Sequence, residues 1–189
     1  MLSSVVIPAY RKVDLLQECL ERFETQTVDN FEVIVVSDGC SDVISFLDSY
    51  VGKFPLRYFN TNYEGFGVAL ARNLGIYHAA GEQIISIDPD CLVTPNFIES
   101  HQQYFEQGLL LAGDIVTVEL DDFDCEEVIM GEMREVFRTH FEPDGLEAVE
   151  FGLGTEHLVF SGNLSFSKAD AYRLGGFDVA NFLDHGGSD

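Results

Sequence analysis

The sequence predicts an α/β fold in which a mostly parallel sheet is flanked by helices. Five short apolar runs predict strands, at residues 4–8, 32–39, 56–60, 83–90 and 109–120. The first, second and fourth runs are continuously apolar, which is typical of strands that are covered on both faces. Helical patterns lie between the runs, and strands that alternate with helices favour right-handed βαβ units and a parallel sheet.

Each of the first four strands is followed by a predicted helix with an apolar face. The predicted starts, in chain order, are Asp14, Ser41 or Asp42, residue 66, and Thr94. Asp, Ser and Thr are favoured caps because their side-chain oxygen accepts a hydrogen bond from a backbone N–H of the first turn. Pro95 strengthens the fourth start, since proline suits the first helical position.

The pattern changes from about residue 121. Residues 121–137 form an acidic stretch with a helical pattern, and residues 152–166 indicate a strand or a hairpin. A short helix is predicted next, with a capping box between Ser167 and Asp170 and a stop at Gly175.

Composition limits the class of protein and of partner. The chain has 189 residues, of which 46% are hydrophobic, and this is ample for one packed domain. We predict a single domain over residues 1–189, with functional halves at 1–115 and 116–189. The net charge of −23 argues against nucleic acid or an anionic membrane surface as a partner.

Cysteine usage and hydropathy indicate the compartment. The four cysteines lie far apart without a C-x-x-C pair, so neither zinc nor a disulfide framework is favoured. No secretory signal is visible near Met1, and no apolar run approaches the ~20 residues of a membrane span. We therefore expect a soluble protein of the reducing cytoplasm.

Polar and aromatic residues follow the three strands that are predicted to be buried. Tyr10 follows the first strand, Asp38 follows the second, and Asp88 and Asp90 follow the fourth. A single aspartate after a strand is most often a turn former or a helix cap. Because ligands of such sheets bind outside the carboxyl ends of the strands, polar residues at three separate strand ends indicate a site.

Asp88 and Asp90 flank a proline in "IDPD". An extended segment turns residues i and i+2 to the same side, and the proline biases Asp88 toward that geometry. The pair forms either a solvated turn or a site for a hard cation such as Mg²⁺ or Mn²⁺, completed by water and phosphate oxygens.

Arg72 lies in the otherwise apolar third helix, which begins with "EGFGVALARN". The N-terminus of this helix could attract an anion. Arg72 is either half of a surface salt bridge or a guanidinium that binds phosphate through two parallel hydrogen bonds.

Taken together, these motifs resemble a known family. The segments "VVIPAY", "EVIVVSDGCSD", "GFGVALARNLG", "IISIDPD", "SGNLSFSKADAYRLGGFD" and "HGGSD" occur in the order and spacing of inverting family-2 glycosyltransferases with the GT-A fold. The resemblance covers residues 3–189 and is weakest over 115–155. It implies a Rossmann-like GT-A sheet that binds a nucleotide-diphosphate sugar at the strand C-termini, with Mn²⁺ or Mg²⁺ as cofactor.

The resemblance also implies roles for residues of the nucleotide half. Pro8, Ala9 and Tyr10 are expected to line the nucleoside pocket. Asp38 is expected to bond the base. Arg72 is expected to lie near the base or the diphosphate.

Further roles are implied for the metal and the sugar. Asp88 is expected at the ribose and the metal, and Asp90 is expected to be the principal metal ligand. Gly162 and Asn163, in the "SGN" segment, are expected to approach the sugar and the acceptor. Asp189, in "GGSD", resembles the family's catalytic base.

Three positions depart from the family pattern. Arg11 stands where Asn is usual, Ser37 replaces the first Asp of a D-D-G element, and Ser188 replaces the Glu before the base. Family members normally continue beyond this element with helices of the acceptor side. We therefore expect the chain to be truncated at its C-terminus.

The predicted function is metal-dependent, inverting transfer of a sugar from a nucleotide-diphosphate sugar, with UDP favoured. The acceptor is an unknown glycan, lipid-linked or small molecule. One alternative is a non-catalytic nucleotide-sugar-binding module. Another is a sugar nucleotidyltransferase, although "PAYRKVDLL" lacks the glycines expected of its triphosphate loop.

The five histidines are scattered along the chain. His185 could contact the acceptor because it adjoins "GGSD". The other four, His78, His101, His140 and His157, are predicted to be surface residues or core residues with satisfied hydrogen bonds.

Overall fold

The computed structural model describes residues 1–113, 115, 134–139, 149–151 and 162–179. The helices are α1 (Val13–Phe23), α2 (Ser41–Ser49), α3 (Val68–His78), α4 (Phe97–Gln103) and α5 (Lys168–Leu174). The strands are β1 (Ser3–Ala9), β2 (Phe31–Ser37), β3 (Leu56–Asn60), β4 (Gln83–Ile87), β5 (Leu109–Ala112), β6 (Arg134–Thr139), β7 (Val149–Phe151) and β8 (Asn163–Ser167).

Within the described residues, eight strands form one sheet in the order β3-β2-β1-β4-β8-β5-β6-β7. Strands β1 to β5 and β7 run in one direction, and β6 and β8 run in the other. The prediction of a mostly parallel α/β sheet is therefore confirmed. The antiparallel strand β8 pairs Asn163 with Ile87, so β8 begins at the edge where β4 ends.

Both faces of the central strands are covered. Alternate residues of β1, β2 and β4, such as Val5, pack against α1, α2 and α4, while their neighbours, such as Val6, pack against α3 and α5. This double burial explains why the runs are continuously apolar rather than alternating. Helix α3 approaches β1 closely through Gly75, where a Cβ atom would lie 2.4 Å from Val6 Cγ1.

The predicted cap of α1 is wrong. Lys12 is the N-cap in a left-handed conformation, with φ of 40°, and Asp14 lies in the first turn without capping it. Helix α2 is also capped one residue earlier than predicted, at Cys40. The Cys40 N–H donates to Ser37 Oγ at 3.0 Å. The side chain that accepts a hydrogen bond at the start of α2 therefore belongs to the last residue of β2.

Helix α4 begins at Phe97, three residues after the predicted cap Thr94. The Thr94 carbonyl accepts a hydrogen bond from Phe97 N–H, which makes a turn ahead of the helix. Gln26, just after α1, accepts a hydrogen bond from Ile98 N–H at 3.0 Å and donates to the Thr94 carbonyl at 2.8 Å. A distant side chain therefore replaces the local cap.

The second half gives a mixed outcome. Residues 134–137, predicted to be helical, belong to strand β6, and the rest of that acidic stretch lies outside the described residues. The predicted strand near residues 152–166 is confirmed at its end by β8. The cap and the stop of α5 are also confirmed, because Ser167 accepts from Asp170 N–H and Gly175 ends the helix with φ of 84°.

Across the part of the chain that the structure describes, every helix is too short or too polar to cross a membrane.

Candidate functional site

The strand ends that the sequence singled out meet at one edge of the sheet. Pro8 and Ala9 are buried within β1, and the Ala9 carbonyl accepts a hydrogen bond from Asp38 N–H at 2.8 Å. Tyr10 follows β1 and is half exposed, with the Arg11 guanidinium carbon 4.9 Å from its ring centroid. This edge therefore presents an accessible aromatic ring beside a cation.

An open cleft of about 530 Å³ lies at this edge, between residues 10–14 after β1 and residues 39–42 after β2. Arg11 and Lys12 line it with φ angles of 53° and 40°, which non-glycine residues rarely adopt. Such conformations cost roughly 1 kcal/mol or more each and cluster at binding sites. These two cations line the cleft together with two carboxylates, those of Asp14 and Asp42.

Asp38 is buried, directly precedes Gly39 of the cleft lining, and holds the start of α3. Its Oδ2 accepts from Gly67 N–H at 2.7 Å, and its Oδ1 accepts from Thr61 Oγ1 at 3.3 Å. A Cβ atom on Gly67 would lie 2.5 Å from Asp38 Oδ1, so only glycine allows this approach. Burial raises the pKa of Asp38, and the two hydrogen bonds oppose that rise without cancelling it.

Arg72, on α3, forms an ion pair with the first aspartate of the "DPD" motif. Its Nη2 donates to Asp88 Oδ1 at 2.7 Å, and its side chain is only 8% exposed against 36% for Asp88. The guanidinium carbon also lies 5.4 Å from the Phe177 ring centroid. The ion pair and the aromatic ring together hold this guanidinium in a nearly buried position next to Asp88.

Asp90 lies on the open side of the same turn, with a half-exposed side chain. Lys12 Nζ lies 3.9 Å from Asp90 Oδ2, so the cleft and the "DPD" turn are adjacent. Both side chains are largely in water, and this contact is correspondingly weak.

Asp88 and Asp90 supply hard carboxylate oxygens, which suit Mg²⁺ or Mn²⁺. In the described residues no three His, Cys, Asp or Glu side chains cluster with the spacing of a metal centre. Mg²⁺ commonly takes one or two carboxylates and completes its coordination with water and phosphate. The two aspartates therefore fit a cation that arrives with a diphosphate better than one held by protein alone.

Gly162 and Asn163 lie on the other side of the "DPD" turn, at the start of β8. A Cβ atom on Gly162 would lie 2.9 Å from Asp88 Oδ2, and the Gly162 carbonyl accepts from Cys91 Sγ at 3.5 Å. Burial raises the pKa of Cys91 to about 11, so this thiol stays protonated and structural. The structure brings Arg72, Asp88 and Gly162 together, whereas Asp189 lies outside the described residues.

His101 was assigned no functional role in the sequence, but it reaches this site. It is fully buried, and its ring nitrogens lie 2.8 Å from Ser165 Oγ and 3.0 Å from Asn163 Oδ1. The prediction of a core histidine with satisfied hydrogen bonds is confirmed. Nothing local in the sequence could have revealed partners more than sixty residues away.

Comparison with known proteins places the chain among glycosyltransferases. The sequence profile of glycosyl transferase family 2 matches residues 4–161. An uncharacterized glycosyltransferase of Rickettsia felis is 39% identical over 106 residues, covering 56% of this chain and 17% of the relative. Validoxylamine A glucosyltransferase of Streptomyces hygroscopicus is 27% identical over 210 residues, covering 100% of this chain and 49% of the relative. The chain thus spans less than half the length of either relative.

Solved structures share the fold. The mannosyltransferase PcManGT of Pyrobaculum calidifontis, in complex with GDP-Man and Mn²⁺, aligns with a TM-score of 0.62 at 19% identity, covering 94% of this chain and 48% of that one. S. aureus TarS 1–349 in complex with UDP aligns with a TM-score of 0.67 at 18% identity, covering 98% of this chain and 52% of that one.

Proposed function

This chain belongs to glycosyl transferase family 2 and has the GT-A fold. On that premise, we propose that it binds a nucleotide-diphosphate sugar and transfers the sugar to an acceptor hydroxyl with inversion. The observation that carries the proposal is the Arg72–Asp88 ion pair at the carboxyl edge of the sheet, next to Asp90 and the cleft. The match to this family favours glycosyl transfer over nucleotidyl transfer.

The nucleoside is proposed to lie in the cleft after β1 and β2, against the exposed ring of Tyr10. Pro8 and Ala9 supply the backbone wall, and Asp38 accepts a ring N–H of the base. The pKa of Asp38 is raised, so the ionised form of this carboxylate is disfavoured in the folded protein. Shifted pKa values of this kind are common among functional groups. Uracil is the favoured base.

The diphosphate is proposed to lie between the cleft and the "DPD" turn. Arg72 presents a buried guanidinium there, and Lys12 adds an exposed cation on the cleft side. Asp88 and Asp90 would hold Mn²⁺ or Mg²⁺, which when bound supplies positive charge to the leaving diphosphate.

Transfer is proposed to be a single displacement. The acceptor oxygen forms the new bond to the anomeric carbon as the bond from that carbon to the diphosphate oxygen breaks, and the hydroxyl proton passes to a carboxylate base. Asp189 is proposed as this base because of its place in "GGSD". Gly162 borders the space beside Asp88 that the sugar would occupy, and Asn163 follows it at the start of β8.

We also propose that the protein is cytoplasmic. The cysteines among the described residues, Cys19, Cys40 and Cys91, are free thiols, and this supports a reducing compartment.

Titration calorimetry with UDP tests the donor site. We expect binding with Mn²⁺ present, loss of at least tenfold in affinity with EDTA, and a similar loss in Asp90→Ala. Asp29→Ala removes the same charge from an exposed position before β2 and should bind as the wild type does. Equal affinity with Mn²⁺ and with EDTA would contradict the metal assignment.

Release of UDP from UDP-sugars in the presence of candidate acceptors tests turnover. Asp189→Asn should abolish release while it retains donor binding. Unchanged release in this variant would place the base elsewhere. Tight donor binding by the wild type without any release would instead identify a nucleotide-sugar-binding module.

A further inference from the structure

The chain turns back toward α3 directly after α5, at residues 175–177. Gly175 and Gly176 both have a left-handed backbone, with φ of 84° and 75°. The Gly176 N–H donates to the Ala171 carbonyl at 2.8 Å. The Gly175 N–H donates to the Tyr172 carbonyl at 3.3 Å, and the two bonds together form a Schellman motif. This motif needs a left-handed residue only at Gly175, so the second left-handed glycine has another cause.

The cause is the side chain of Asn73 on α3. Its Nδ2 donates to the Phe177 carbonyl at 2.8 Å, and its Oδ1 accepts from the Phe177 N–H at 2.8 Å. A carbonyl only accepts and a backbone N–H only donates, so the orientation of this amide is fixed. A Cβ atom on Gly176 would lie 2.5 Å from Asn73 Oδ1. The second glycine therefore allows the amide to approach the turn.

This pairing determines where the ring of Phe177 lies. The ring packs on the apolar layer that α3 and α5 cover, and its centroid is 6.3 Å from that of Phe166. It also lies 5.4 Å from the guanidinium carbon of Arg72, within the range of a cation–π contact. Arg72 in turn donates to Asp88 Oδ1. Because Arg72 and Asn73 are neighbours in α3, one helix carries both the guanidinium and the amide that fixes its aromatic partner.

Apolar packing holds this turn only weakly. Phe177 is partly buried, and the two glycines before it are exposed. Glycine loses more conformational freedom on folding than any other residue, so the entropy of these two positions opposes the docking of the ring. The two hydrogen bonds from Asn73 offset part of that entropy and restrain the backbone at the residue that bears the ring.

We propose that Asn73 is a positioning residue that ties the turn at residues 175–177 to α3 and thereby holds the Phe177 ring on the Arg72 guanidinium, beside Asp88. The inference rests on the proposed function for its ligand, because that function assigns Arg72 to the diphosphate. The restraint on Arg72 does not depend on a ligand and can be measured in the free protein.

The restraint is measured by the exchange of the Arg72 Nε–H with solvent, followed by nitrogen NMR of the unliganded protein. Arg72 Nε is buried, so its proton exchanges through local opening. The signal is assigned by its absence in Arg72→Lys. We expect exchange about tenfold faster in Asn73→Ala, and also in Phe177→Leu, which loses the ring but keeps the backbone pairing. Unchanged exchange in Asn73→Ala would overturn the proposal.

The two glycines offer a matched pair of variants. Gly175→Ala and Gly176→Ala both place a side chain on a left-handed residue, so both should lower the urea unfolding midpoint. Only Gly176→Ala brings a Cβ atom against Asn73, since nothing among the described residues lies within 4 Å of a Cβ atom on Gly175. We expect faster exchange of the Arg72 Nε–H in Gly176→Ala and a rate within about twofold of the wild type in Gly175→Ala. Equal rates in the two variants would overturn the proposal.

The consequence for the ligand is measured by comparing UDP with uridine, which lacks the diphosphate, in the presence of Mn²⁺. Asn73→Ala and Phe177→Leu should each weaken UDP binding about tenfold and leave uridine binding within about twofold. Phe59→Leu is the matched control, because this partly buried ring packs on the same apolar layer but stacks on His78. It should change neither affinity by more than about twofold.

A double variant separates positioning from general structural damage. In a Phe177→Leu background, Asn73→Ala should weaken UDP binding by less than about twofold more, since the two residues act through the same contact. Additive losses, or equal losses for UDP and uridine, would overturn the proposal. If the wild type binds neither ligand, the proposed function fails, and the exchange of the Arg72 Nε–H decides the positioning claim.

Discussion

Strand β2 carries a buried carboxylate at each end, and the two should respond oppositely to removal of their charge. At the amino end, Glu32 accepts from Ser4 Oγ and Ala80 N–H, both at 2.7 Å. It also accepts from Arg57 Nε at 3.1 Å and from Nη2 at 2.6 Å. At the carboxyl end, the donors to Asp38 among the residues that the structure describes are the two neutral groups given above.

These surroundings shift the two pKa values in opposite directions. Burial alone would raise the pKa of Glu32, but the hydrogen bonds and the Arg57 charge outweigh it and lower that pKa below 4.5. Ionised Glu32 therefore stabilises the fold above pH 4.5, and this contribution is lost as pH falls through the lowered pKa. Burial of Asp38 raises its pKa above 3.8, so its stabilising contribution exists at low pH and is lost as pH rises through the raised pKa. At neutral pH, ionised Asp38 opposes folding.

The matched changes are Glu32→Gln and Asp38→Asn. The Gln variant can still accept from Ser4 and Ala80 but turns an NH₂ group toward Arg57. The variant loses the two hydrogen bonds from Arg57, and fully buried charge-assisted hydrogen bonds would be worth about 1.5–3 kcal/mol each. Because the Arg57 side chain is 41% exposed, water compensates for part of this loss. We expect Glu32→Gln to lower the free energy of unfolding by about 1.5–3 kcal/mol in total. Asp38→Asn keeps an acceptor for Gly67 and should stay within about 1 kcal/mol of the wild type.

Urea unfolding at pH 7 and calorimetry with UDP and Mn²⁺ provide the assay. Glu32→Gln should lose stability and keep its UDP affinity, whereas Asp38→Asn should keep its stability and bind UDP about tenfold or more weakly. The penalty of Glu32→Gln should be nearly as large at pH 5 as at pH 7, since both values lie above the ordinary pKa of 4.5. If Asp38→Asn loses as much stability as Glu32→Gln, the sign assigned to Asp38 is wrong. If it binds UDP normally, Asp38 serves only to hold the start of α3.

Three further predictions concern individual contacts. Gly67→Ala places a Cβ atom 2.5 Å from Asp38 Oδ1. It should lower the free energy of unfolding in urea by about 1–3 kcal/mol. An unchanged unfolding midpoint would contradict the close approach. Lys12→Ala removes the cation 3.9 Å from Asp90 and should tighten Mn²⁺ binding without nucleotide by up to about fivefold in calorimetry. Unchanged or weaker binding would show that Lys12 does not compete with the metal. Ser167→Ala removes the side-chain cap of α5 and should lower the unfolding free energy by about 1 kcal/mol, with no loss arguing against that cap.

Much of the structure of residues 1–113 could be predicted from the sequence because its signals are local. Continuously apolar runs identify doubly covered strands, and each run ends in the residue that the structure places at the sheet edge, as with Asp38 and Asp88. The cap and stop of α5 were also local, since Ser167 and Gly175 act on residues within one turn. In such cases the periodicity and chemistry of a short segment are sufficient to determine its structure.

Tertiary structure alone decided the features that depend on distant partners. Gln26 displaced the predicted cap of α4, and residues 134–137 became a strand because β5 offered them a ladder that outweighed their helical pattern. The antiparallel insertion of β8 beside β4 brought Asn163 to the site, and the packing of α4 placed His101 against it. The ring nitrogens of His101 contact Ser165 and Asn163, which lie more than sixty positions away in the sequence, and only the folded sheet brings these groups within hydrogen-bond distance.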